Sequence, residues 1–288
     1  MKKYVVVFSF LILNILIFSC TKQAESKDFT NLGVFTSGIE GPATDSIGNI
    51  YAVNYQKEGT IGKITPEGKV SLFLELPNGS IGNGIRFGKK NIMYIADYTN
   101  HNILMMDMNT RELSVFAHHS EVNQPNDIAI SPSGVIYASD PNWKGGTGNI
   151  WKITRDKGFE KLESNMGTTN GIEVSPDGSK LYVNESVQQK IWVYDIQNDG
   201  TIRHKKLVYT FKDFGLDGMR CDNKGNLYVC RFEKGTVVIL SPEGKLLKEV
   251  QLLGKKPTNI TFSNDFSTFY VTMADKGNIE IVKNDFLF

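Results

Sequence analysis

Six copies of one strand-turn-strand pattern run through this chain, and an internal repeat at this spacing excludes most architectures before any residue is considered for chemistry. A short turn leads into an aromatic strand in each copy: Asp45-Ser-Ile-Gly48 before Asn49-Ile-Tyr-Ala-Val, Gly88-Lys-Lys90 before Asn91-Ile-Met-Tyr, and Ser131-Pro-Ser-Gly134 before Val135-Ile-Tyr-Ala. Ser175-Pro-Asp-Gly178, Asp222-Asn-Lys-Gly225 and Ser263-Asn-Asp-Phe266 precede the other three aromatic strands. A third strand follows in every copy, as in Ile103 to Asp107 or Ile191 to Asp195, and several copies continue into a fourth. Short β-rich units of this kind predict four-stranded sheets set radially around an axis, a six-bladed β-propeller of the all-β class. No segment sustains a helical period with caps, which argues against α/β folds. The sixth copy stops soon after Ile279 to Val282 and lacks an outer strand. The run Leu32 to Thr36 is the expected donor, so that N- and C-terminal strands close the ring and remove an exposed sheet edge.

The propeller occupies residues 29–288, and a different chemistry precedes it. Met1-Lys2-Lys3 is followed by an apolar run from Tyr4 to Phe18 and by Ser19-Cys20. This is signal-peptide anatomy over 1–19, short for a permanent spanning helix, with an uncleaved membrane anchor as the alternative. Ile17-Phe18-Ser19-Cys20 resembles a bacterial lipobox, which would make Cys20 a lipidation site and place the protein in the bacterial cell envelope, with the lipid as its only membrane contact. Residues 20–28 read as a polar tether. Removal of Lys2 and Lys3 with the leader would move the net charge from +1 to −1. So balanced a charge gives no basic patch for nucleic acid. Cys221 and Cys230 flank the Asp222 to Gly225 turn. If Cys221 faces Asn226, Asp217 faces Cys230, which leaves the two thiols about 13 Å apart. A disulfide requires roughly 7 Å or less between Cα atoms, so both stay free.

One polar residue opens the first strand of each copy: Glu40, Asn83, Asn126, Asn170, Asp217 and Asn259, at spacings of 43, 43, 44, 47 and 42. Taken singly, such residues serve turns and caps. Six in register on the strands that line a propeller channel form a ring of carboxylate and amide oxygens at one mouth. Glycine follows Glu40, Asn83, Asn170 and Asp217. Oxygen donors without His or Cys suit one hard divalent cation, Ca²⁺ above Mg, Mn or Zn, whose charge the two carboxylates Glu40 and Asp217 would balance. A structural ion or a water-filled polar channel would produce the same ring.

These segments, together with Glu40-Gly41-Pro42, Pro125-Asn126-Asp127, Asp140-Pro141, Thr169-Asn170-Gly171 and Leu216-Asp217-Gly218-Met219, resemble the gluconolactonase, senescence marker protein and luciferin-regenerating enzyme family, whose relative diisopropyl-fluorophosphatase cleaves phosphotriesters. The resemblance covers nearly the whole chain after the tether. It implies a six-bladed propeller, a small-molecule lactone or ester substrate, and a catalytic divalent ion on Glu40, Asn170 and Asp217 with Asn126 beside it. The ion would polarise the lactone carbonyl, with water delivered by Asp217 or from the ion itself. In the phosphotriesterase variant Asp217 would attack directly. Sugar-lactonase members place Arg where this chain has Gln124. A second layer, three residues beyond each strand tyrosine, comprises Asn54, Asp97, Asp140, Glu185, Arg231 and Met273. It is expected to wall the funnel, with Asn83, Gln124, Asn126, Asp140 and Arg231 contacting substrate and Arg231 replacing the missing cation.

Other motifs carry less. His118-His119 alternate on an outer strand and cannot chelate together. His101 and His204 read as loop residues without acidic neighbours, Gly145 to Gly148 as a hairpin loop, and Arg203 to Lys206 as a solvated turn. No Gly-x-Ser-x-Gly elbow is present. The alternative function is a non-catalytic envelope propeller, NHL-like, that binds a protein or glycan; a partner-binding face needs no oxygen ligands converging on one axis. A third reading, a strictosidine synthase-like or paraoxonase-like propeller, lacks a counterpart of the paraoxonase His pair. The chain is expected to be a monomer.

Overall fold

The computed structural model describes residues 1 and 25–286, and among these the only helix is a single turn, Lys89–Asn91. The leader, Cys20 and the first residues of the tether lie outside the described residues. The strands among the described residues form six antiparallel four-stranded sheets. The innermost strands of blades one to six are Ala43–Thr44, Gly82–Phe87, Ile128–Ile130, Thr169–Val174, Met219–Cys221 and Pro257–Phe262. Blade four shows the pattern in full, running outward through Lys180–Glu185, Lys190–Ile196 and Ile202–Thr210. The six-bladed propeller read from the repeats is therefore the fold.

The repeated turns make hairpins because a residue with left-handed φ ends each of them. Gly48, Gly134, Gly178 and Gly225 have φ of 89°, 94°, 75° and 85°, which an L side chain adopts only with strain. The aromatic strands then bury their tyrosines between blades. Clusters of buried apolar residues join each blade to the next; Tyr137, Ile150, Ile172 and Val183, for instance, weld blade three to blade four. The joint between blades six and one has the fewest buried members, with Phe35, Ile39, Ile50, Ala52, Ile64 and Ile279.

Closure of the ring differs in one respect from the sequence reading. Lys27–Asp28, within the segment assigned to the tether, is the outer strand of blade six and pairs with Ile281 and Glu280. In the run Leu32 to Thr36 only Phe35 bridges, to Tyr55. The reason is hydrogen bonding that the polar composition of the tether concealed. Glu25 N donates to Gln251 O at 2.8 Å, and Ser26 Oγ donates to the fully buried Glu280 at 2.5 Å while accepting from Leu253 N at 2.9 Å. We expect Ser26→Ala to cost about 1 kcal/mol, seen as a fall of a few degrees in melting temperature by calorimetry; an unchanged transition would exclude this residue from closure.

Cys221 and Cys230 are free, as expected, although the register is shifted by one: Cys221 faces Leu227. His204 and its neighbours lie in strand Ile202–Thr210, and His204 Nδ1 sits 2.7 Å from Asp195 Oδ2. This corrects both the loop assignment and the absence of an acidic neighbour. His118 pairs instead with Asn102 Oδ1 at 2.9 Å.

Candidate active site

Five of the six ring residues meet at one mouth of the channel. Glu40, Asn83, Asn126, Asn170 and Asp217 line a single cavity of about 270 Å³. The glycines that follow them explain how the blades come so close. A Cβ on Gly41, which has φ 55°, would lie 1.9 Å from Asn83 O, and one on Gly218 would lie 2.0 Å from Asn259 Cγ. Each glycine lets the next blade's ring residue press against its backbone, and Gly41 N also donates to Glu40 Oε2 at 2.6 Å.

Asn259, the sixth residue, is fully buried behind the ring. Its Nδ2 donates to Glu40 Oε2 at 3.0 Å and to Asp127 Oδ2 at 3.2 Å, so it positions Glu40 rather than facing the cavity. Asn83 Nδ2 donates to Asn126 O at 3.0 Å, and Asn170 Nδ2 to Asp217 Oδ1 at 2.9 Å. With those donors committed, the side-chain carbonyls of Asn126 and Asn170 are buried and have no partner. A buried amide oxygen without a donor is costly.

The two carboxyls are under matching strain. Burial, reinforced by the charge of Asp127, pushes the Glu40 pKa up to about 7. Burial and the charge of Glu40 raise Asp217 well above the ordinary aspartate value. Two crowded carboxylates and two orphaned amide oxygens form the donor set that a hard divalent cation satisfies. Among the described residues no three His, Cys, Asp or Glu side chains cluster for a metal, so the amides are essential to this set.

A pH dependence follows with a definite sign. Raised carboxyls destabilise the fold when ionised, so protein held in chelator should become more stable as pH falls from 8 through 7, while added Ca²⁺ should raise the melting temperature more at pH 8 than at pH 6. Thermal melts with chelator and with Ca²⁺ at both pH values test this; a Ca²⁺ effect that grows as pH falls would contradict it.

Beneath the ring lies a charge layer that sequence reasoning missed. Arg86 Nη1 reaches Asp127 Oδ1 at 3.1 Å, Arg220 Nη1 reaches Asp127 Oδ2 at 3.4 Å, and both arginines approach Glu173 Oε2, at 3.6 and 3.7 Å. Burial opposes ionisation of Asp127, but Arg86, Arg220 and Asn259 outweigh it and hold its pKa below the ordinary value. The signal was present: Arg86, Glu173 and Arg220 each stand three residues after a ring residue.

The expected funnel wall is a correction. None of Asn54, Asp97, Asp140, Glu185, Arg231 and Met273 lines the cavity. All are buried and most bind their own turns. Asp140 accepts from Gln124 N at 2.7 Å, Asn149 Nδ2 at 2.9 Å and Trp151 Nε1 at 2.8 Å, so both of its oxygens serve the scaffold and it is fully buried away from the cavity. Gln124 meets Asp140 through its backbone and does not line the cavity. Arg231 is 1% exposed, stacks 3.7 Å from the Phe211 ring and pairs with Asp213 Oδ1 at 2.7 Å. It supplies no cation to the site. Trp143, Phe232 and Ile39 occupy the wall instead.

The region described as SMP-30/Gluconolactonase/LRE-like matches residues 40–275. Gluconolactonase from Zymomonas mobilis subsp. mobilis is 27% identical over 85% of this chain and 79% of its own length. 6-Deoxy-6-sulfogluconolactonase from Pseudomonas putida is 28% identical over 55% of each chain, about half of either protein. In fold, the chain is similar to a calcium-binding protein, regucalcin, from Agrobacterium tumefaciens, with a TM-score of 0.76, 21% identity, and 90% of this chain and 93% of that one covered.

Proposed function

The chain belongs to the SMP-30/gluconolactonase/LRE-like family, and from that premise we propose that it is a lactone hydrolase that uses one divalent cation, Ca²⁺ by preference. The observation that carries the metal part is the set of unpartnered Asn126 and Asn170 oxygens beside two carboxyls of raised pKa. Glu40, Asn170 and Asp217 would hold the ion, with Asn126 beside it. When bound, the cation supplies Lewis acidity at the lactone carbonyl.

The remaining steps belong to the protein. Asp217 is the catalytic base of this reading. It reaches the cavity, its Oδ1 is fixed by Asn170 Nδ2, and it takes the proton of the attacking water. The water oxygen bonds to the acyl carbon, the ring C–O bond breaks, and the departing alkoxide receives the proton, giving the open hydroxy acid. Asn259 and Gly41 N hold Glu40 in place, so the donor set is built before substrate arrives. Preorganisation of this kind avoids reorganisation cost during the reaction.

The test is pH-stat titration of δ-valerolactone, δ-decalactone and glucono-δ-lactone by the purified chain, in chelator and with Ca²⁺, Mg²⁺, Mn²⁺ or Zn²⁺. Saturable, cation-dependent acid release on at least one lactone is expected. Acid release no faster than the uncatalysed rate on all of them would remove the lactonase reading.

A further inference from the structure

Above the ring the cavity changes character. Trp143, Phe232 and Ile39 supply the apolar part of its wall, and among the described residues no Lys, Arg or His lines it. Trp143 keeps 45% of its surface exposed. Val187, 64% exposed, directly follows the lining residue Ser186; Phe214, 45% exposed, belongs to the segment whose Leu216 carbonyl accepts from Ser186 Oγ. Apolar surface left in water around a concave site marks the part of a ligand it is built to cover.

Beyond the Asn126 and Asn170 oxygens assigned to the cation and the hydroxyl of Ser37 at the rim, the polar side chains that line the cavity above the carboxyls are largely committed. Thr258 Oγ1 donates to Ile39 O at 2.8 Å and touches Thr272 Oγ1 at 2.7 Å, and the Ser186 hydroxyl proton goes to Leu216 O. Asn83 and Asn170 each direct one amide proton to a neighbour, Asn126 O and Asp217 Oδ1. Lys256 approaches the Phe232 ring to 5.5 Å, and its ammonium pairs with Glu233 at 3.7 Å. A polyhydroxylated lactone seated on the ring would press hydroxyls against an indole, a phenyl and an isoleucine that offer them no partner, and each hydroxyl stripped of water in this way is a penalty.

We infer that the lactone taken by this site carries an alkyl or aryl substituent in place of a ring of hydroxyls, and that Trp143 and Phe232 are the residues that select it. The inference rests on the lactonase reading and adds the substrate class to it. A hydrocarbon substituent gains from covering Trp143 and Phe232, whereas hydroxyls lose there, so the preference has both an attractive and a repulsive component.

Lactams that the enzyme cannot open separate binding from turnover. Isothermal titration of the full chain in CaCl₂ with the lactam counterparts of δ-decalactone and glucono-δ-lactone should give at least about tenfold tighter binding of the alkyl compound, the scale a few methylenes in an apolar pocket provide. Trp143→Ala and Phe232→Ala should each shrink that ratio severalfold, with melting curves run alongside to confirm that the variants are folded. Tighter or equal binding of the hydroxylated lactam overturns the inference, as does no binding of the alkyl one, or a ratio that both variants leave intact. An alkyl preference in a protein that opens no lactone would remove the lactonase reading while the specificity stands. Faster turnover of glucono-δ-lactone than of δ-decalactone would do the reverse.

Discussion

Asp217→Ala lowers kcat for lactone opening by roughly 10³-fold, the scale of loss when a preorganised electrostatic group is removed from an active site. It takes away the proposed base and one of the two carboxylates that would hold the cation. The same substitution has a second effect of opposite sign. Asp217 is buried against Glu40, and its ionisation is opposed by both burial and that charge. Protein in chelator at pH 8 should therefore melt at a higher temperature after Asp217→Ala, while the stabilisation by Ca²⁺ disappears. Initial rates by pH-stat and paired melts, with and without Ca²⁺, read both effects. Retention of more than a tenth of the wild-type rate would exclude Asp217 from the chemistry.

Asp127→Ala is the largest expected loss of stability. Asp127 is buried between Arg86 and Arg220 and accepts from Asn259 Nδ2. Removing one partner of a buried ionic cluster leaves charge without compensation and costs about 3–5 kcal/mol. For a domain of this size that is a fall on the order of 10 °C in melting temperature. The loss should be partly recovered by adding Arg86→Met, because the second substitution removes one of the stranded charges. Denaturant titration of the single and double variants measures it. A single-variant loss below about 1 kcal/mol would show that the layer under the ring does not support the site.

The fold was legible because a propeller writes its geometry into the sequence six times, and a hairpin turn with Gly at positive φ recurs at the same place in four of the six copies, with Lys90 at φ 58° and Phe266 at φ 59° taking that conformation in the other two. The ring was legible for the same reason. Closure was not, because Glu25 to Asp28 is held by hydrogen bonds to Gln251 and Glu280 and carries no apolar pattern to announce a strand. The funnel wall failed for a different reason. Asp97, Asp140 and Arg231 end strands where backbone amides, Trp151 Nε1 and Asp213 wait for partners, and buried charges are taken by the nearest scaffold before any substrate. Trp143 and Phe232 sit in connections with no repeat signature, so only the folded geometry brings them to the cavity.

The central claim is that one cation on the Glu40, Asn170 and Asp217 set is what makes this propeller open lactones. Its most direct test is a single Ca²⁺ titration of chelator-treated protein at pH 8, with cation binding followed by calorimetry and the initial rate of δ-decalactone opening followed in parallel. The account predicts one site per chain and a rate that rises along the same binding curve. A full rate in chelator, or complete binding without any gain in rate, would contradict it.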